Sequence, residues 1–290
     1  MRRWRDAAAA SMRLVSERPE LWLPGALAWI ASIGWIPFVV AVARPPSVAE
    51  LTFLGARIVT SGAWPWNVVL IGAAWVAIVL LAFVLTAAAN AVLIALLARR
   101  PPSGGDVRRI LAVNLVAALP AALSTMVVLV ALIAVAPREF NAPDPAGGPV
   151  LRTLVRLMPY LVLLGLTAAG GAAFAAVASR RALDGRHRLT HALRAAPGVL
   201  LQGAVAAHAS LASLTQLAFL AFGTLLLSVL WAPIGAQLEA GGGIDVATGL
   251  LLVGFVAIWL CLVLAGGALN AWSAATWSRL LATDASREGD

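Results

Sequence analysis

Two apolar stretches that each end in paired arginines limit this chain more than any other feature does. Leu80–Arg100 reads LLAFVLTAAANAVLIALLARR, and Leu161–Arg181 reads LVLLGLTAAGGAAFAAVASRR. A shift of 81 positions lays Thr86 on Thr167 and both terminal arginines on their counterparts. A looser third copy, AGGALNAWSAATWSR, covers Ala265–Arg279, with Asn270 as far ahead of Arg279 as Asn90 is ahead of Arg99. Small residues recur at helical spacing in all three: Ala87, Ala91, Ala95; Ala168, Ala172, Ala176; and Gly267, Ala271, Ala275. Self-similarity of this kind is a statement about architecture. It says little about activity.

Each copy is long enough to cross a bilayer, and composition agrees. With 61% apolar residues, 12% charged residues and a mean hydropathy of +0.92, the chain is too apolar for a water-soluble globule of its length. The expected class is therefore all-α, a polytopic integral membrane protein. A net charge of +8 would ordinarily raise the question of nucleic acid. All 21 basic residues are arginine, however, and they flank apolar runs instead of building a polar basic domain, so their expected partners are lipid phosphates and not nucleic acid. All-Arg usage beside abundant Ala points to a high-GC bacterial genome. Cys261 is the only cysteine, which leaves no disulfide within one chain. The N-terminal residues do not read as a cleavable signal peptide, because Asp6, Arg13, Glu17 and Arg18 interrupt any apolar core.

Taken in order, residues 3–17 read as an amphipathic helix lying on the membrane. Trp4, Ala7, Ala8, Met12, Leu14 and Val15 share one face; Arg2, Arg5, Asp6, Arg13 and Glu17 share the other. A first crossing follows at about Leu21–Val42. Residues 44–66 form a loop with room for a short surface helix, ending in Trp64-Pro65-Trp66, an aromatic pair suited to headgroup depth. The second crossing is about Val68–Ala98. Val107–Leu119 reads as a second surface elbow before Pro120, with Ala121–Val135 as the third crossing. Pro137–Pro149 is a Pro/Gly-rich loop, and Val150–Met158 a surface turn carrying Arg152 and Arg156. The fourth crossing is about Pro159–Ser179. Residues 184–196 form a third elbow, with His187, His191 and Arg194 on one side and Leu189, Ala192, Leu193 and Ala196 on the other. Pro197-Gly198 marks the turn into the fifth crossing, about Val199–Trp231, and the sixth is about Val246–Trp277. The expected domain is residues 1–282, six transmembrane helices built as three elbow-plus-hairpin repeats of about 1–100, 101–181 and 182–282, with a polar tail at 283–290.

Arginine placement sets the expected orientation. Sixteen of the 21 fall on one side of such a six-helix path, leaving only Arg44, Arg57, Arg138, Arg152 and Arg156 opposite. The positive-inside rule then places both termini in the cytoplasm of a cell inner membrane. Arg99, Arg100, Arg180, Arg181 and Arg194 become candidate lipid-headgroup residues, each attracting anionic lipid by about 1 kcal/mol near the surface. The ladders of small residues predict that crossings two, four and six pack closely together.

Few side chains invite chemistry. Asn90 and Asn270, with Gly171 in the third copy, are polar contacts for a cavity or interhelical hydrogen bonds, and the second reading is preferred. His208 is a proton relay only if it has a titratable partner, and no Asp, Glu, Lys or Arg lies in the core of any crossing. A hydrogen bond to a neighbouring helix is the simpler reading. His187 and His191 match the spacing of a metal pair, but nothing nearby completes a site, and they belong more simply to a basic elbow face. No phosphate-binding glycine loop, activated nucleophile or paired carboxylates are present in the sequence. Catalytic, cofactor and metal sites are therefore expected to be none, and an enzyme is not expected.

The elbows, the hairpins, the exits Arg99-Arg100 and Arg180-Arg181 and the final Ser273-Ala274-Ala275-Thr276-Trp277-Ser278-Arg279-Leu280 together resemble the six-helix membrane domain attached to some bacterial glycerophosphodiester phosphodiesterases, and its stand-alone relatives. Those relatives commonly have Tyr where Trp277 stands. The soluble phosphodiesterase barrel is absent, so the resemblance transfers no catalytic residue. The first reading is a non-enzymatic multi-pass protein that organises lipid or a membrane-protein partner, or associates with copies of itself. The alternative is the permease subunit of an ATP-driven exporter, for which the loop after Arg100 would have to form a docking helix. Pro101–Val107 is short and Pro/Gly-rich for that task.

Overall fold

The structure is a computed structural model that describes residues 2–44, 48–140, 148–183, 189–241 and 245–285. Ten α-helices are described: α1 (Arg2–Glu17), α2 (Trp22–Trp29), α3 (Ile36–Val42), α4 (Val48–Thr60), α5 (Trp66–Leu97), α6 (Gly104–Phe140), α7 (Pro149–Leu183), α8 (Leu189–Leu200), α9 (Gly203–Glu239) and α10 (Val246–Ala285). A 3-10 turn at Pro19–Leu21 leads into α2, and a π turn at Ile30–Gly34 lies between α2 and α3. No strand occurs among the described residues. Helices α5, α6, α7, α9 and α10 are each long and apolar enough to span a bilayer. The segment Pro19–Gly34 plus Ile36–Val42, bent by 47°, brings the number to six when counted as one span. The chain is an all-helical, multi-pass membrane protein.

The bend in the first span is written in its residues. A π turn leaves carbonyls without their usual i+4 partners, and Ser32 Oγ meets two of them, at Ala28 O (2.8 Å) and Trp29 O (3.0 Å). Trp35 Nε1 donates to Ser32 O at 3.2 Å. Pro37, in the first turn of α3, has no N–H to continue the ladder from α2.

The chain divides into two compact units. One holds residues 1–4, 104–213 and 277–290; the other holds residues 5–103 and 214–276. In the first, α6 and α7 form an antiparallel hairpin. A Cβ at Gly171 would lie 2.4 Å from Ala117 O, so the two backbones touch there. Thr167 Oγ1 lies 3.1 Å from Ser124 Oγ further along. Val113, Val177, Ala178, Ala196, Val199, Val205 and Trp277 make the apolar core of this unit. In the second unit, Val15, Leu21, Leu93, Ala271, Ala274 and Ala275 form one cluster. Leu227, Ile234, Phe255 and Leu262 form another, which Phe38, Trp231 and Trp259 flank.

Several expectations change. Val107–Leu119 is not a separate elbow: α6 runs unbroken through Pro120, because one lost backbone bond in a long helix is tolerated where neighbours pack against it. Val150–Met158 is likewise the first part of α7 and not a surface turn. The Pro/Gly-rich loop shrinks, since α6 continues to Phe140; residues 141–147 lie outside the described set. The turn into the fifth crossing falls at Leu201-Gln202, beyond Pro197-Gly198, which stay helical in α8. His187, Arg186 and Arg188 of the third elbow and the tail residues 286–290 also fall outside the described residues.

The elbows themselves are used differently from expectation. Ala8, Ser11 and Val15 of α1 are buried, and Trp272 Nε1 donates to Ala8 O at 3.1 Å. Ala192, Ala196 and Val199 of α8 are buried as well, in the core of the other unit. Both amphipathic helices bury much of their apolar side against protein, where burial of the same surface is also favourable, although Met12 of α1 stays exposed.

Candidate functional site

Polar groups that could act must be sought where they are buried, because burial demands a partner. In the first unit the buried polar centre is His208, on the second turn of α9 and inaccessible to solvent. Trp4 Nε1 donates to His208 Nδ1 at 3.3 Å. Nδ1 is the acceptor in that bond. The imidazole and the Trp277 ring of α10 meet in a T-shaped contact with centroids 4.7 Å apart. His208 is thus a fastener joining α1, α9 and α10. Nearby in sequence to Trp4, Arg3 Nη2 donates to Leu280 O at 3.1 Å, a second tie between α1 and α10.

Arg180 departs from its expected role. It is buried, with Nε on Ser278 Oγ (3.1 Å) and Nη1 on its own helix at Ala176 O (2.8 Å). Burial withdraws this guanidinium from lipid headgroups, so Arg180 joins α7 to α10 instead. Of the other four candidates, Arg100 and Arg181 are half-buried, and Arg99 and Arg194 are exposed. Arg99 closes α5 in the left-handed region, with φ of 53°. Its N–H bonds Leu96 O at 3.2 Å and the Arg100 N–H reaches back to Ala95 O at 3.0 Å. This is the paired closing pattern in which glycine usually takes the left-handed position.

Three arginines outside the candidate set turn out to serve helix ends. Arg18 Nη1 donates to Leu96 O in the last turn of α5 (3.3 Å), and Arg109 Nη1 to Ala182 O in the last turn of α7 (3.2 Å). Arg3 meets Leu280 O near the end of α10. A cation at the C-terminal end of a helix satisfies orphan carbonyls and opposes the negative end of the helix dipole. The sequence signal for this was arginine gathered near the ends of the apolar runs, but which carbonyl each reaches depends on how the helices pack.

At the opposite end of the α6–α7 hairpin, Glu139 is buried between two arginines of α7. Its carboxylate pairs with Arg152 Nε (3.2 Å) and Arg156 Nε (2.5 Å), and Arg152 Nη2 also donates to Glu139 O at 2.9 Å. Sequence reading placed Glu139 in a loop and so missed the clamp; the partners are four apart on one helix face, which was the only available hint.

In the second unit, Asn270 Nδ2 donates to Gly25 O at 3.3 Å, from α10 to α2. Asn90 is half-buried on α5, beside the buried Ala89 and Ala91. The Asn270 bond sits at a close helix crossing of this unit. A Cβ on Gly25 would lie 2.3 Å from Gly267 O, and one on Gly267 would lie 2.6 Å from Ala26 N and Trp22 O. The small-residue ladders divide accordingly. Ala87, Ala91 and Ala95 of α5 and Gly267, Ala271 and Ala275 of α10 are buried, whereas Ala168 and Ala172 of α7 are exposed. On α7 the ladder is divided: Ala176 packs against the core, while the close approach to α6 is at Gly171, beside the exposed Ala172.

Taken together, these groups hold helices to one another. Among the described residues, no three His, Cys, Asp or Glu side chains gather in a way that could hold a metal ion. Cys261 is exposed. No known protein family, curated protein or solved structure matches the chain.

Proposed function

We propose that this chain is a non-enzymatic, multi-pass protein of a bacterial inner membrane, with both termini in the cytoplasm, that organises anionic lipid or a membrane-protein partner. The observation that carries the reading is the division of labour among its arginines. Arg3, Arg18, Arg109 and Arg180 tie helices together. Arg5, Arg13, Arg99, Arg108 and Arg194 remain exposed, and the proposed orientation puts them toward the cytoplasm. Guanidinium groups held at headgroup depth attract phosphodiesters, at about 1 kcal/mol each. The buried polar side chains described above serve packing, which leaves the membrane-facing surface as the working part.

An exporter permease would need a helix between α5 and α6 to engage its ATPase. The connection is residues 98–103, and α6 begins at once after it. That observation weighs against the permease reading.

Purification in mild detergent followed by lipid mass spectrometry tests the proposal. Anionic phospholipid should copurify with the native chain and fall in the variant R99A/R108A/R194A, without dependence on nucleotide. Equal retention by both proteins, or retention that follows ATP, overturns it.

A further inference from the structure

Three short amphipathic helices are described, and they differ in one respect. The apolar sides of α1 and α8 are largely covered by protein, apart from Met12 of α1, while α4 leaves Leu54 and Val59 exposed. Helix α4 also has a fixed orientation. Asn67, in the first turn of α5, donates through Nδ2 to Ile58 O (3.0 Å) and to Ser61 Oγ (2.9 Å). Ile58 O belongs to the last turn of α4, whose carbonyls have no partner within the helix. Ser61 Oγ donates to the same Ile58 O at 2.9 Å. The end of α4 is therefore fastened to the head of a bilayer-spanning helix, and Trp64 and Trp66 are exposed at the corner.

From these observations we infer that α4 is a membrane-surface anchor: its occupant is the lipid interface at the N-terminal end of α5. Continuity argues for lipid. α5 from Val68 to Leu81 is exposed on every side, as a helix surrounded by acyl chains would be. Only the residues 61–65 separate its start from Thr60, so α4 cannot leave the bilayer boundary by more than a few residues' reach. At 100° per residue Ile58 and Val59 lie on the apolar arc, Val59 nearly opposite Arg57, with Thr60 and Arg57 on the polar arc and Leu54 at the border beside Glu50. Phe53 lies on the polar side, where an aromatic ring at headgroup depth is well placed. Such a helix lies in the interface plane with its apolar side a few ångströms below the headgroups. The inference rests on the chain crossing the membrane and not on its lipid-organising role.

The test uses the full-length protein in nanodiscs of zwitterionic lipid, so that its outcome is independent of anionic lipid binding. In a C261S background, single cysteines at Val59, Arg57 and, as a deep control, Ala77 carry an environment-sensitive fluorophore. Shallow spin-labelled lipid should quench the label at Val59 more strongly than aqueous iodide does, with the order reversed at Arg57 and both weak at Ala77. Stronger iodide quenching at both α4 positions would mean a solvated helix and overturn the inference. Protection from both quenchers at Val59, together with crosslinking between copies, would mean a protein partner and overturn it equally. The variant N67A provides a second readout: the difference between Val59 and Arg57 should shrink while Ala77 is unchanged, and an unaltered difference would remove Asn67 from the anchor.

Discussion

Gly25 and Gly267 have backbone where any other residue would need a side chain. An added methyl at Gly25 meets a carbonyl oxygen that cannot move without shifting α10. Gly25→Ala and Gly267→Ala should each lower stability by about 1–3 kcal/mol, as overpacking of a fixed core does. Gly72→Ala, where nothing lies within 4 Å, is the control and should be near neutral or slightly stabilising. Thermal unfolding in detergent reads the difference. The same logic revises the ladders: Ala91→Leu should destabilise and Ala172→Leu should not, since Ala91 is fully buried and Ala172 is exposed. Equal tolerance at Ala91 and Ala172 would show that the α5 seam does not pack. Asn270→Ala should cost only about 0.6 kcal/mol, because unfolded membrane helices also find hydrogen-bond partners.

At the scale of elements, helix ends decide more than helix interiors. Arg18→Met and Arg109→Met retain much of the stem while deleting the cation at the end of α5 or α7. Each should reduce stability by about 0.3–1 kcal/mol, and hydrogen exchange should rise in the last turn of that helix and not at its middle. The clamp at the other end of the α6–α7 hairpin is stronger. Glu139→Gln leaves two guanidinium groups around a site that is 5% exposed, and should cost on the order of 3 kcal/mol at most, since Arg156 stays largely open to water. The start of α10 depends on pH. Asp245 Oδ1 accepts from the Thr248 N–H at 2.7 Å, and this hydrogen bond is the main reason its carboxyl is held below the ordinary aspartate range. A depressed carboxylate contributes stability that is full above the unfolded value and is lost as pH falls through the folded one. Exchange at the Thr248 amide should therefore accelerate, relative to the intrinsic rate, only in acid below that ordinary range. In Asp245→Asn that acid-dependent step should be absent.

For the whole molecule the prediction is topological. Reporter fusions after Ala98, Ser179 and Ala282 should all report the cytoplasm. A periplasmic signal at any of them would overturn the orientation. The number of crossings follows from periodicity and length: α5, α6, α7, α9 and α10 are legible in the sequence because a helix that must satisfy its own backbone in lipid needs an unbroken apolar run. The start of α1 and the existence of α8 were legible for a related reason, since their apolar residues recur at helical spacing. Which surface those residues face was not legible. A stripe of Ala, Leu and Val is equally at home on lipid and on protein, and α1 and α8 lie on protein. Proline misled in the same way: Pro120 and Pro197 are helix breakers locally, yet both stay inside helices whose neighbours hold them.

Residue types alone thus determined that this chain is a set of bilayer-crossing helices with arginines gathered at alternate ends, because hydrophobic transfer and backbone satisfaction depend on composition and length. Tertiary structure decided what each arginine does. Whether a guanidinium ends on a carbonyl, as at Arg18 and Arg109, on a hydroxyl, as at Arg180, or in the open, as at Arg99 and Arg194, depends on which helix lies within reach of its side chain. That distance is a property of packing, and no spacing along the chain contains it.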